Sequence, residues 1–178
     1  MVILITGGAR SGKSMFAQQF FSEAEQVVYV ATAEVCDEEM AQRVEQHRHA
    51  RPLAWRTEER PRDLSNVIHG EDGCLLDCVT VLTSNIMFTH TAEYERIPRT
   101  VQEETEAAVK RQLDVLINDA NAANCRLVLV TNELGSGIVP EHHVSRVFRD
   151  IAGRVNQHLA RRADEVYWCV CGIPVKIK

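Results

Sequence analysis

The sequence predicts an α/β protein in which a mainly parallel sheet is covered by helices, and three observations carry that prediction. Apolar runs of strand length, at residues 2–6, 26–33, 73–77 and 126–131, have few polar interruptions, as strands covered on both faces do. Helical patterns separate most of these runs, so strand and helix alternate along the chain. The first run enters Gly7-Gly8-Ala9-Arg10-Ser11-Gly12-Lys13-Ser14, which satisfies G-x-x-x-x-G-K-[ST] with a strand before it and a helix after it. The combination reads as a P-loop NTPase (RecA-like) three-layer fold with a short C-terminal strand pair.

Each element has its own justification. Residues 14–22 read as a helix with apolar positions at Met15, Phe16, Ala17, Phe20 and Phe21. Asp37, Glu38 and Glu39 open a second helix, where acids suit the positive end of the dipole, and it runs through Met40, Val44 and His47. Residues 53–57 suggest a short strand around Trp55, and Pro61 suits the first turn of a helix reaching Ile68. Gly73 to Asp77 is an apolar strand ending in an acid, the form of a Walker B segment. Residues 79–88 read as an apolar helix, followed by a polar stretch to Pro98 that reads as a mobile or variable loop.

Residues 100–123 form a long amphipathic helix with Val101, Ala108, Leu113, Leu116 and Ile117 among its apolar positions. The strand at 126–131 delivers Asn132-Glu133-Leu134-Gly135-Ser136-Gly137 at its carboxyl end, where ligands bind in open α/β sheets. Residues 142–163 place Val144, Val147, Phe148, Ile151, Val155 and Leu159 on one helical face. A strand at 165–171, the turn Gly172-Ile173-Pro174 and a short strand at 175–178 close the chain.

Composition narrows the function. A chain of 178 residues, 45% hydrophobic, suits one domain over 1–178, which at this size buries about 70% of the surface its unfolded form exposes. A net charge of −5 argues against broad attraction to nucleic acid or to anionic membrane, and leaves a small molecule as the expected partner. The N-terminal apolar run is too short for a signal-peptide core and leads directly into the loop, so it reads as a buried strand with no membrane insertion. The six cysteines, Cys36, Cys74, Cys78, Cys125, Cys169 and Cys171, include no C-x-x-C pair and read as free thiols in a reducing cytoplasm, with a zinc site or a catalytic thiol as the alternative.

The loop defines the first site. Gly7, Gly8, Ala9, Arg10, Ser11 and Gly12 turn their backbone N–H groups to an anion, Lys13 brings a mobile charge to the β- and γ-phosphates, and the Ser14 hydroxyl is placed for Mg²⁺. Asp77 is the matching carboxylate, holding Mg²⁺ directly or through water. A regulatory GTPase is disfavoured: no N-K-x-D sequence occurs, and the D-x-x-G match at Asp150 to Gly153 falls in a predicted helix. Residues 43–52 hold three arginines and two histidines, a concentration of positive charge unusual in an acidic chain. Neutral imidazole is a nucleophile and guanidinium groups bind phosphate, so the segment suits an anion site; a helix end with His47 half-buried accounts for the same residues.

The ordered motifs resemble the bifunctional adenosylcobinamide kinase and adenosylcobinamide-phosphate guanylyltransferase family. They are the phosphate loop, Tyr29-Val30-Ala31-Thr32-Ala33, Asp37-Glu38-Glu39-Met40 with Arg43 to His47, Trp55-Arg56-Thr57, Leu76-Asp77-Cys78-Val79-Thr80 with Asn85, Thr131-Asn132-Glu133-Leu134-Gly135 with Gly137-Ile138-Val139-Pro140, Phe148 to Gln157, and Gly172-Ile173-Pro174. The resemblance spans essentially the whole chain. It implies phosphorylation of adenosylcobinamide by ATP or GTP, then transfer of GMP from GTP through a guanylyl-histidine to give adenosylcobinamide-GDP. It places the nucleophile on His47, with His49 as the neighbouring alternative, and implies a homotrimer.

Ser136 departs from the family pattern, in which a larger apolar residue stands between the two glycines. Candidate nucleotide contacts are Thr32, Ala33 and Glu34 after the second strand, Arg48 and Arg51 beside the histidine, and Glu58 or Glu59 beyond Trp55. Asn132 and Glu133 either shape the site or cap their loop. Two other readings use the same loop: a small-molecule kinase in which His47 only binds phosphate, and a nucleotide-dependent switch that modifies no small substrate.

Overall fold

A computed structural model describes residues 1–34, 52 and 54–178. Among them seven strands form one sheet: β1 (Val2–Gly7), β2 (Val27–Ala31), β3 (Arg56–Glu59), β4 (Gly73–Asp77), β5 (Arg126–Val130), β6 (Glu165–Val170) and β7 (Ile173–Lys176). Their order is β3-β2-β4-β5-β1-β6-β7, with every pair parallel except β6 and β7. The described helices are α1 (Lys13–Gln18), α2 (Val79–Thr91), α3 (Arg99–Ala122) and α4 (His143–Arg162). The α/β class, the parallel sheet and the closing antiparallel pair follow the sequence prediction.

Period-two alternation divides the strands between two cores. Val2, Leu4, Val28, Val30, Leu76, Leu127 and Leu129 face the layer of α2, α3 and α4. Ile3, Ile5, Val27, Tyr29, Leu75, Val128 and Val130 face the other way, towards Ala17 of α1, Phe21 and Trp55. Because the central strands are apolar on both faces, their backbone polar groups must be satisfied within the sheet, which the parallel ladders do.

Four local expectations are corrected. The first helix ends at Gln18 rather than residue 22, because Gln19, Phe20 and Phe21 donate to carbonyls three residues back and tighten the chain. That turn sends Phe16 and Phe20 to Tyr167 and Phe21 to Trp55, each pair edge-to-face at 5.1–5.6 Å, so the aromatic spacing reflects a cluster rather than a longer helix. No helix follows Pro61: Asp63 Oδ1 accepts from the Ser65 N–H and hydroxyl, Leu64 N–H donates to Gln112 Oε1, and Asn66 is left-handed. Leu64 and Val67 are nonetheless fully buried, which explains their helix-like spacing.

The short strand near Trp55 begins at Arg56, where pairing with Val28 begins, and Trp55 itself packs under the sheet. The expected loop after residue 88 is shorter than predicted. Helix α2 continues to Thr91, Ile97 is buried in the core, and Pro98 caps α3. The predicted helix through Met40, Val44 and His47 lies outside the described residues.

Two glycines test this packing in opposite directions. A Cβ on Gly73 would lie 2.3 and 2.6 Å from the ring of Phe21, which is wedged against Trp55, so Gly73→Ala should destabilise the fold by about 1–3 kcal/mol in denaturant unfolding. A Cβ on Gly153, inside α4, meets nothing within 4 Å, so Gly153→Ala should raise stability by up to ~1 kcal/mol.

Candidate functional site

The carboxyl edge of the sheet gathers the site. Strand register places Glu59, Ala31, Asp77 and Val130 in one row across β3, β2, β4 and β5, with Ile5 of β1 beside Val130. Strand spacing sets Glu59 and Asp77 roughly 10 Å apart, with the small Ala31 between them. Two residues past Ile5 the chain leaves β1 at Gly7 and forms the phosphate loop.

The loop is held by backbone contacts that require glycine. A Cβ on Gly7 would lie 2.5 Å from the Cys169 carbonyl oxygen and 2.7 Å from Ser11 Oγ. Gly12 caps α1 in the left-handed region at φ +89°, and a Cβ there would come within 3.2 Å of Gly172 Cα. The Gly172 N–H donates to the Ser11 carbonyl at 3.1 Å, and the Glu133 N–H donates to the Gly7 carbonyl at 3.0 Å. The β6–β7 turn and the loop after β5 thus hold the phosphate loop from both sides.

Lys13 is buried, and its Nζ donates to the Gly8 carbonyl at 2.6 Å, lying across the loop. Burial holds its ammonium below the ordinary value of 10.5, and Asp77, Cys78 and Cys169 pull in the opposite direction. A desolvated cation lying across a glycine-rich loop suits an anion, because its charge is poorly compensated by solvent. Ser11 Oγ is buried with no partner, a further hydroxyl at the same loop. Gly8, Ala9 and Arg10 are exposed on the outer turn, and Ser14 is half-buried.

Asp77, half-buried at the end of β4, is the described carboxylate that acts on Lys13. Ser14 and Asp77 supply hard oxygen donors of the kind Mg²⁺ takes, with phosphate and water completing such a shell. Among the described residues, no group of three or more His, Cys, Asp or Glu is arranged to hold a metal ion.

The other predicted positions divide. Thr32 is fully buried, and its hydroxyl both donates to the Cys78 carbonyl and accepts the Cys78 N–H, each at 2.9 Å. Its side chain fastens β2 to the end of β4. Ala33 is half-buried. Glu34 receives both Arg62 nitrogens at 2.7 and 2.9 Å, and Glu59 is exposed at the end of β3. His47, Arg48 and Arg51, with the alternative His49, lie outside the described residues.

Several organising residues had no chemical signal in the sequence. Asn85 donates to the Thr32 and Pro61 carbonyls at 2.8 and 3.0 Å. Thr80 accepts the Asn132 N–H at 2.7 Å, while Asn156 accepts from the Thr131 hydroxyl at 2.8 Å and donates to the Asn132 carbonyl at 3.1 Å. Asn85 and Asn156 entered the sequence reading only as members of longer motifs. Arg62 did not enter it at all, since a lone exposed arginine looks like ordinary surface. Asn132 proves to be held through its backbone, and Glu133 caps its own loop by accepting the Gly135 N–H at 2.5 Å.

A parallel sheet with a strand–glycine loop–helix at its centre, a desolvated lysine and a facing acid together define a phosphate-loop nucleotide-binding enzyme. Comparison with known proteins places it further. The model of the cobinamide kinase / cobinamide phosphate guanyltransferase family matches residues 3–177, and the chain belongs to that family. It is 46% identical to the bifunctional adenosylcobalamin biosynthesis protein CobU of Escherichia coli K12 and 45% identical to that of Salmonella typhimurium, each over the full length of both chains. It is 37% identical to the corresponding CobP of Pseudomonas aeruginosa, covering 98% of this chain and 96% of the relative. A KaiC-like protein from Pyrococcus horikoshii superposes with a TM-score of 0.49 at 13% identity, covering 94% of this chain and 71% of that one. The chain is therefore a kinase and guanylyltransferase of cobalamin biosynthesis.

The electrostatics of Lys13 give a pH signature. Its folded pKa lies below the unfolded one, so the unfolded chain holds the proton more tightly; the cost of burying the charge is present at neutral pH and is relieved as pH rises through the lowered pKa towards 10.5. Anion binding needs the charge and should fade over that same window. Asp77→Asn removes an influence that raises the Lys13 pKa, so the alkaline limit of nucleotide binding should move to lower pH. Titration of nucleotide affinity against pH without Mg²⁺, on both proteins, reads this directly; an unchanged limit counts against the coupling.

Proposed function

We propose that Lys13, Ser14 and Asp77 carry the phosphoryl-transfer half of this activity and His47 the guanylyl-transfer half. The observation that supports the first assignment is the placement of a buried Lys13 across the phosphate loop, with Asp77 acting on it from the end of β4. In the kinase step the terminal hydroxyl oxygen of adenosylcobinamide attacks the γ-phosphorus of ATP or GTP. The bond to the β–γ bridging oxygen breaks, the nucleoside diphosphate leaves, and the hydroxyl proton passes to solvent. Lys13 and the loop N–H groups hold the β- and γ-oxygens and stabilise the charge that spreads over them. Mg²⁺, held by Ser14 and Asp77 with the phosphates, would supply further charge neutralisation when bound.

In the second reaction a ring nitrogen of His47 attacks the α-phosphorus of GTP and pyrophosphate leaves, with the ring proton lost to solvent. A phosphate oxygen of adenosylcobinamide phosphate then attacks the same phosphorus and frees the imidazole, giving adenosylcobinamide-GDP. Arg48 and Arg51 are suited to the phosphates, and Glu34 and Glu59 to polar contacts with the nucleoside. The protein works in the cytoplasm as a homo-oligomer, a trimer on the family pattern. The free Cys74, Cys78, Cys125, Cys169 and Cys171 and the exposed Ile173 and Val175 of the outer strand, with Ile177 just after it, favour this reading.

Two measurements separate the half-reactions. Lys13→Ala should lower phosphorylation of adenosylcobinamide by roughly 10²-fold or more, the scale of removing a charge that stabilises the transferring group. With GTP labelled at the α-phosphate, wild-type protein should retain label through denaturation as an acid-labile, alkali-stable adduct, and His47→Asn should lose it while still binding nucleotide. Label that persists in this variant moves the nucleophile to His49 or beyond.

A further inference from the structure

The loop between β5 and α4 carries Ile138 at 96% exposure and Val139 at 62%, and Met15 on α1 is 74% exposed. Single exposed apolar residues need no explanation, but these lie on the two segments that follow β1 and its neighbour β5. Met15 stands two residues beyond Lys13. Ile138 stands five residues beyond Glu133, whose N–H is bonded to Gly7, so even a fully extended chain keeps it within roughly 17 Å of that residue. The loop is also fixed at its far end, where Arg146 donates to the Pro140 carbonyl at 2.8 Å and to that of Glu141. Its tip is anchored at both ends, yet Ile138 covers nothing.

We infer that Ile138 and Val139, with Met15, form an apolar lip that receives the corrin macrocycle of the substrate while its side-arm hydroxyl reaches the phosphate loop. The inference rests on the kinase reaction taking place at that loop. A corrinoid presents a broad ring with apolar faces and a fringe of carboxamides, and its reacting hydroxyl is on a flexible arm. Such a substrate needs an apolar seat near the phosphate cradle but outside it, without charge and without bulk at the approach. Residues 134–140, Leu-Gly-Ser-Gly-Ile-Val-Pro, contain no charged side chain. Gly135, Ser136 and Gly137 expose backbone and one hydroxyl suited to carboxamides, and the missing Cβ of Gly137 faces open space.

A second copy of the chain is the less fitting occupant. A stable interface buries about 1,200–2,000 Å² in total, more than one loop tip provides. The broader apolar surface is at the β7 edge of the sheet, where Trp168, Val170, Ile173, Val175 and Ile177 are exposed on β6, β7 and the residue after it.

The test is the double variant Ile138→Ser, Val139→Ser, assayed for kinase activity with wild type, with molar mass by light scattering and nucleotide affinity on the same samples. The expected result is a KM for adenosylcobinamide raised about tenfold or more, with nucleotide affinity and molar mass unchanged. An unchanged KM overturns the inference, as does an equal loss of nucleotide affinity. A fall in molar mass assigns the lip to self-association instead. In wild-type protein, adenosylcobinamide without nucleotide should slow hydrogen exchange over residues 134–140; no protection there overturns the inference even if the variant fails to fold. A kinase reaction located elsewhere shows itself separately, as Lys13→Ala that keeps its activity.

Discussion

Everything at the active edge depends on how closely the phosphate loop is pressed between its neighbours. The Cys169 carbonyl, the Gly172 backbone and the Glu133 N–H all approach it at distances that leave no room for side chains at Gly7 and little at Gly12. This explains the position of β1 between β5 and β6 in the sheet, since both flanking strands deliver one of those contacts. The short C-terminal hairpin, which alone looks like an appendage, forms one wall of the cradle.

A second layer of polar clips turns strand ends into a site. Thr32 joins β2 to the residue after β4, Thr80 at the start of α2 joins Thr131 just past β5, and Asn156 brings α4 onto the same loop. Thr32, Thr80 and Thr131 are buried, and a buried polar group without a partner costs about 1–3 kcal/mol. Each clip therefore favours one arrangement of the edge over nearby alternatives. The consequence for chemistry is that Asp77 and Lys13 face each other across elements that cannot slide independently.

The sequence carried the loop, the acid at the end of β4 and the parallel order because each rests on a strong local signal: glycine spacing, a strand ending in a carboxylate, and uninterrupted apolar runs. It misplaced the Phe20–Phe21 turn and the Leu64–Val67 segment for a shared reason. Burial imposes apolar spacing on turns as well as helices, and only the hydrogen-bond partners, such as Gln112 for Leu64, distinguish them. The Thr32 clip was illegible because its partner is the backbone of a residue 46 positions away. At the level of residue type, a threonine after a strand reads equally as ligand contact and as fastening.

The remaining constraint is that two triphosphates, used in turn, must be attacked at different phosphorus atoms. In-line attack on the γ-phosphorus comes from the side opposite the β–γ bridging oxygen, whereas attack on the α-phosphorus comes from the side opposite the α–β bridging oxygen. A cradle centred on Lys13 that held the β- and γ-phosphates would present the γ-phosphorus to an acceptor outside the loop and leave the α-phosphorus towards the nucleoside. The nucleophile for the second reaction must therefore come from a separate element beside the nucleoside, or the nucleotide must bind in a second pose. The rigid loop would meet the first demand alone, so the proposed division of labour between Lys13 and a histidine elsewhere in the chain follows from the geometry of phosphorus as much as from this fold.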